Sequence, residues 1–149
     1  MREALAQAQL AASENEIPVG AIIVDEQQII GWGWNKSIKK LDPTAHAEVV
    51  AIRDACQSKK NYRLPNTTLY VTIEPCTMCL GAIMHARIQR VVFAATEPKA
   101  GVLASHPQVL DAGYFNHKIE WSGGVLETEA NTLMRNFFQQ RRASKKHKP

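Results

Sequence analysis

Three cysteines in 149 residues are too few to staple a fold, and their odd number fits no disulfide framework. Long apolar runs are also missing: none approaches the roughly 20 residues that a membrane-spanning helix needs. The N-terminal segment MREALAQAQL carries Arg2 and Glu3 where a secretory signal would have an apolar core. Thiols without an export signal are expected in a reducing compartment, where they can hold metal, so the expected location is the cytoplasm. Internal repeats and linkers are absent too, and the chain reads as a single domain over residues 1–149. At 45% hydrophobic and 21% charged, it has enough apolar residues for one core.

Acidic residues are lacking at one end. Residues 130–149 hold six bases (Arg135, Arg141, Arg142, Lys145, Lys146 and Lys148) and no acid, which leaves residues 1–129 with twelve bases against fourteen acids. The net charge of +4 therefore resides in the C-terminal helix and tail, about residues 127–149. A clustered positive tail is an electrostatic footprint for phosphate backbones. The alternative is a solvated, frayed terminus that aids solubility.

Hydrophobic periodicity predicts a helix over residues 2–14, stopped by Pro18, then a hairpin of strands 20–24 and 29–34 turning at Asp25–Gln28. A second helix is expected from His46, with Val49, Ile52 and Cys56 on one face. Thr68–Ile73 reads as a strand, and a third helix starts near Cys76. Arg90–Ala94 and Ile119–Trp121 complete the expected strands. A last helix from Glu127 would place Ala130, Leu133, Met134, Phe137 and Phe138 along one stripe. Strands alternating with helices after an opening hairpin indicate a layered α/β fold with a mixed sheet.

His46-Ala47-Glu48 and Pro75-Cys76-Thr77-Met78-Cys79 carry the chemistry. They offer one imidazole and two thiolates to a metal, and three protein ligands leave one position of a tetrahedral Zn²⁺ open to water. Cys76 and Cys79, three apart across a first helical turn, can reach one ion, and helix N-termini lower thiol pKa values. Glu48, one residue beyond the imidazole's neighbour, is placed to move protons for the water. H-x-E…P-C-x-x-C is the signature of zinc-dependent nucleobase deaminases. A closed zinc knuckle is the alternative, with Glu48 an ordinary first-turn acid, but no fourth ligand is evident nearby and Cys56 falls on the apolar face. His85 is expected to cap the end of the third helix, and His106, His117 and His147 receive no role.

In a strand, Gly31, Gly33 and Asn35 share one face and Trp32 and Trp34 the other. A face bare of side chains suits a flat base approaching the backbone, with the Asn35 amide on a ring edge. The tryptophans are expected to fill core.

Over nearly its whole length the chain resembles the bacterial tRNA-specific adenosine deaminases, which convert the wobble adenosine of an anticodon to inosine. The resemblance is carried by Ile17-Pro18-Val19-Gly20-Ala21, Gly33-Trp34-Asn35, Asp42-Pro43-Thr44-Ala45-His46-Ala47-Glu48, Asn61-Tyr62-Arg63-Leu64, Thr68-Leu69-Tyr70-Val71-Thr72, Glu74-Pro75-Cys76, Met78-Cys79, Arg87-Ile88, Arg90-Val91-Val92-Phe93 and Phe137-Phe138. It implies a cytidine-deaminase-like three-layer α/β/α sandwich with a central mixed sheet, assembled as a homodimer with one Zn²⁺ per subunit. By the same resemblance His46, Cys76 and Cys79 bind the metal, Glu48 shuttles protons, and Asn35, Ala47 and Pro75 contact the flipped base. The RNA surface would comprise Glu97, Lys99, Phe137, Phe138 and Arg141, which agrees with the basic tail. One departure is Glu97, where the family usually has aspartate; the charge is kept and its reach shifted.

Two other readings stay open at this level. A deaminase of a free base or nucleoside would use the same zinc chemistry, but a basic, aromatic C-terminal helix has little use there. A non-catalytic RNA-binding subunit with structural zinc would have no need of Glu48.

Overall fold

The computed structural model describes residues 1–147; Lys148, counted among the tail bases, lies outside the described residues. Five strands form one mixed sheet in the order β2-β1-β3-β4-β5. They are β1 (Gly20–Asp25), β2 (Gln28–Trp34), β3 (Thr68–Ile73), β4 (Arg90–Ala95) and β5 (Glu120–Ser122). β1 pairs antiparallel with both β2 and β3, whereas β3, β4 and β5 run parallel. The helices are α1 (Arg2–Ser13), a short α2 (Ser37–Lys40), α3 (Ala47–Lys59), α4 (Thr77–His85) and α5 (Glu127–Lys146). Strand pairing and helix contacts together give the expected three layers: α1 and α5 touch each other and one sheet face, and α3 packs with α4 over the other.

The period-2 alternation of the strands sorts the core. Ala21, Ile23, Leu69, Val71, Val91 and Phe93 point toward α3 and α4, where Ala51, Ala55, Leu80 and Ile83 meet them, all essentially inaccessible. On the opposite face Ala94 packs with Ala130 of α5, and Leu5 and Met134 complete that smaller cluster. The β1–β2 turn is tight, with Glu26 and Gln27 both at positive φ (46° and 69°). Two successive positive φ values match the twist of a hairpin.

The glycine face of β2 is bare as expected, but its occupant differs. A Cβ on Gly33 would lie 2.2 Å from the Ala47 carbonyl oxygen and 2.5 Å from the Ala51 nitrogen, and one on Gly31 would lie 2.5 Å from the Ala51 carbonyl oxygen. The backbone of α3 fills the space in which a base was expected. The tryptophans do not fill core either. Trp32 is exposed, while Trp34 is half-buried, donates from Nε1 to Glu14 at 3.0 Å and lies under Lys36. Strand parity fixes which residues share a face and leaves open what covers it.

The last helix follows its expected stripe at Ala130 and Phe137, which are buried, and at Leu133 and Met134, which are half-buried. Phe138 departs from it and is exposed. Successive residues on a helix are about 100° apart, and that step turns Phe138 away from the side on which Phe137 is buried. The sequence reading did not include α2 or the ordered turn at Leu110–Ala112.

Gly33→Ala should destabilise the protein by about 1–3 kcal/mol, the usual range for overpacking a tight interface. Chemical denaturation would show a lower midpoint at unchanged slope.

Candidate active site

His46 is the N-cap of α3 and Cys76 the N-cap of α4, both with extended backbone (φ −71°, ψ 153° and φ −84°, ψ 175°). That conformation sets each side chain in front of a helix's first turn, where unpaired N–H groups favour negative charge. Glu48 and Cys79 follow within those first turns. His46 Nδ1 lies 3.6 Å from Cys76 Sγ and 3.5 Å from Cys79 Sγ. A tetrahedral zinc bound at about 2.0–2.1 Å to nitrogen and about 2.3 Å to sulfur sets such ligand atoms about 3.6 Å apart. The trio therefore fits the ion, and its one imidazole and two thiols match zinc's preference for nitrogen and sulfur donors. Cys56 stays half-buried against the core and outside the trio.

Electrostatics favour a thiolate at this point. The Cys79 thiol donates to Cys76, and with help from His46 this overcomes burial and lowers the Cys76 pKa to about 4. The same bond, and then burial, pushes Cys79 upward. His46 is raised, chiefly by its hydrogen bond with Cys76. Glu48 is 4% exposed, and desolvation raises its carboxyl above the ordinary range. A carboxyl poised to hold a proton beside a metal site suits general acid–base work.

A pocket of about 190 Å³ opens over these groups, with Asn35, His46, Ala47, Glu48, Cys76 and Glu97 on its wall. Asn35 is buried; its backbone N–H donates to the Val19 carbonyl at 3.1 Å, and Ser37 Oγ donates to its Oδ1 at 3.2 Å. Other sequence-predicted contacts lie elsewhere. Pro75 is buried, and its carbonyl accepts from Val102 N–H at 3.0 Å. Lys99 borders an adjoining depression with Thr77 and His106, which shares Cys76 and Ala100 with the pocket. Phe137 is packed beside Ala12 and Ile38 in a groove that it shares with Arg141, whose guanidinium lies 5.9 Å from the ring. Phe138 faces Arg142 and Lys145 on another side of α5.

Four residues have structural roles that the sequence did not reveal. Glu74 was seen only as part of a motif, yet it is buried and anchors the loop that carries Glu97. Glu16, also buried, accepts from Lys39 N–H at 2.7 Å and so holds α2 beside Asn35. His106 and His117, which had no assigned role, donate from Nε2 to the carbonyls of Pro98 and Ile88 at 2.9 and 2.8 Å. The one available signal was an acid in an apolar setting: Glu74 directly follows the β-rich run Thr68–Ile73.

Residues 1–95 match the zinc-binding region of cytidine and deoxycytidylate deaminases. The chain belongs to this family. It is 51% identical to the tRNA-specific adenosine deaminase of Haemophilus influenzae, over 98% of this chain and 85% of that protein. With the Bacillus subtilis protein of the same name the identity is 39%, over 98% and 91% of the two chains. Among solved structures, one from a study of A-to-I editing by tRNA:A34 deaminases superposes with a TM-score of 0.86 at 38% identity, covering 89% of this chain and 96% of that one. A guanine deaminase from Nitrosomonas europaea shares the fold, with a TM-score of 0.76 at 21% identity over 90% and 80% of the two chains.

Zinc should be lost on His46→Ala or Cys79→Ala and retained at one per chain in Glu48→Ala, as read by elemental analysis. The first two variants should also melt lower than the zinc-loaded parent, because a ligand bound only to the native state stabilises it.

Proposed function

We propose that the protein deaminates adenosine to inosine at the wobble position of tRNA anticodons. The observation that carries this reading is a zinc-compatible trio beside a buried carboxyl, His46, Cys76, Cys79 and Glu48, in a chain 51% identical to a tRNA-specific adenosine deaminase. Asn35 and Ala47 on the same pocket wall are the residues that would position the base.

When bound, zinc supplies a Lewis acid that makes water nucleophilic near neutral pH. His46, Cys76 and Cys79 hold the ion. Glu48 takes a proton from the attacking water and passes it to N1 of the purine as the new C6–O bond forms. It then helps deliver a proton to the exocyclic nitrogen as the C6–N bond breaks and ammonia leaves. Burial supports both roles by keeping the protonated carboxyl accessible. Asn35, held by Val19 and Ser37, presents its amide to the ring edge.

The substrate's backbone would meet the basic side of α5. Arg141, Arg142, Lys145 and Lys146 are all exposed there, and phosphate attraction requires no pocket. Lys99 and Phe138 complete the RNA-facing set in this reading, while buried Phe137 packs beside Arg141 and buried Pro75 lies off the pocket lining. The reading includes one domain over 1–149, a homodimer and a cytoplasmic site of action, where tRNA is abundant. Among the described residues no helix is long and apolar enough to cross a membrane.

Purified zinc-loaded protein given a tRNA with adenosine at the wobble position should produce inosine there alone, detected by sequencing. Glu48→Ala should abolish it. Ammonia released only from free adenosine or cytosine would keep the zinc chemistry and overturn the tRNA substrate. Arg141→Ala with Arg142→Ala should flatten the salt dependence of RNA binding by about 0.7–0.9 in log–log slope for each phosphate no longer neutralised. An unchanged slope, measured by titration at several salt concentrations, would remove these residues from the RNA surface.

A further inference from the structure

Glu74 lies between the end of β3 and the metal ligand Cys76 and is 3% exposed. Its carboxylate is saturated by one loop. Oε1 accepts from Glu97 N–H at 3.1 Å and from the Ser105 hydroxyl at 2.6 Å. Oε2 accepts from the N–H groups of Leu103, Ala104 and Ser105 at 2.9, 3.0 and 2.9 Å. A buried carboxylate is costly unless its acceptor sites are filled, and residues 97–105 supply every one of these donors.

The loop is also tied to the ligand segment. Val102 N–H donates to the Pro75 carbonyl at 3.0 Å, and Cys76 and Gly101 form an antiparallel bridge. Gly101 must lack a side chain, since a Cβ there would lie 2.3–2.6 Å from the Glu74 carboxyl atoms. The same loop gives Glu97 and Ala100 to the lining of the pocket that also holds His46 and Glu48. One carboxylate thus joins the strand end that leads to Cys76 to the part of the pocket lining that the loop supplies.

We propose that Glu74 is a positioning residue that sets the substrate-facing wall of the pocket through the 97–105 loop. It acts on how the substrate is held, and leaves metal binding and proton transfer to the other residues. The proposal rests on the deaminase reading of this site. An alternative role, general support of the fold, would alter the amount of active protein and leave its affinity for substrate alone.

The test compares the zinc-loaded parent with Glu74→Gln and Gly101→Ala, the second of which pushes the loop and the Glu74 carboxyl apart while keeping its charge. Three readouts are taken: zinc content, hydrogen exchange of the loop amides, and steady-state kinetics on a tRNA with a wobble adenosine. Zinc should stay at one per chain, and exchange at Leu103, Ala104 and Ser105 should accelerate by about tenfold or more. KM should rise by about tenfold while kcat stays within about threefold, the pattern of lost substrate binding. Should Glu74→Gln fail to fold, Ser105→Ala removes a single donor and should give a smaller KM rise of the same kind. Unchanged KM with reduced active fraction, or zinc loss in both variants, would overturn the proposal. A parent inactive on tRNA but active on a free base would overturn the substrate reading instead, and the same KM comparison on that base would still decide the role of Glu74.

Discussion

The meeting of two helix N-termini at one point is the constraint on which the rest of the site depends. His46 and Cys76 are both N-caps, and Glu48 and Cys79 sit in the turns behind them. The geometry demands that α3 lie very close to the sheet. Ala47, Ala51 and Ala55 present only methyl groups, and Gly31 and Gly33 present nothing, so the α3 backbone rests directly on β2. A larger side chain in either layer would lift α3 and carry His46 and Glu48 away from the two cysteines. Close packing and catalysis are therefore one requirement, and it explains why so small a core is so rich in alanine. The partial positive charge of two helix starts then adds to the hydrogen bonds that hold Cys76 as a thiolate.

Much of this was legible in the sequence, for a local reason. Helix starts, strand alternation and the i, i+3 spacing of Cys76 and Cys79 are properties of short segments, and the structure places the metal trio and Glu48 together as their motif requires. Parity in Gly31–Asn35 was also legible: the glycines do share a face. The covering of that face was not, because a strand's alternation cannot distinguish a flat ligand from an approaching helix. Trp34 shows the same limit in another form. Its indole N–H is satisfied by Glu14, twenty residues earlier, and its ring by Lys36, so it holds the surface near Asn35 instead of filling the core.

Glu74 and Glu16 were illegible for a different reason. Each is a buried acid whose partners are backbone N–H groups, apart from the Ser105 hydroxyl on Glu74, and backbone donors leave no trace in residue type. The partners of Glu74 are 23 to 31 residues away, in a stretch that contains little regular secondary structure. Such a loop cannot order itself by periodic hydrogen bonding. A single buried anion gathering several N–H groups is the compact alternative, because the cost of desolvating the carboxylate makes every donor matter. The net lowering of the Glu74 pKa expresses this balance: burial raises it, and the hydrogen bonds from Ser105, Glu97 and Leu103 outweigh that rise.

Charge divides the molecule into a part that attracts and a part that reacts. With two thiolates offsetting the charge of a bound divalent ion, Glu48 and Glu97 leave the pocket without a positive surplus, and residues 1–129 carry more acids than bases. Such a pocket does not draw in a phosphate chain. For the tRNA substrate proposed above, attraction comes chiefly from the exposed bases of α5, none of which lines the pocket, with Lys99 beside it. The pocket then has only to admit one unstacked base, at a cost of a few kcal/mol that is least in an already single-stranded loop. An anticodon loop meets both conditions, since its phosphates reach a basic helix while its bases are available to turn outward. A free base meets only the second and gains nothing from α5. The separation of binding charge from reacting pocket thus favours a structured polyanion with a flexible loop over a small metabolite.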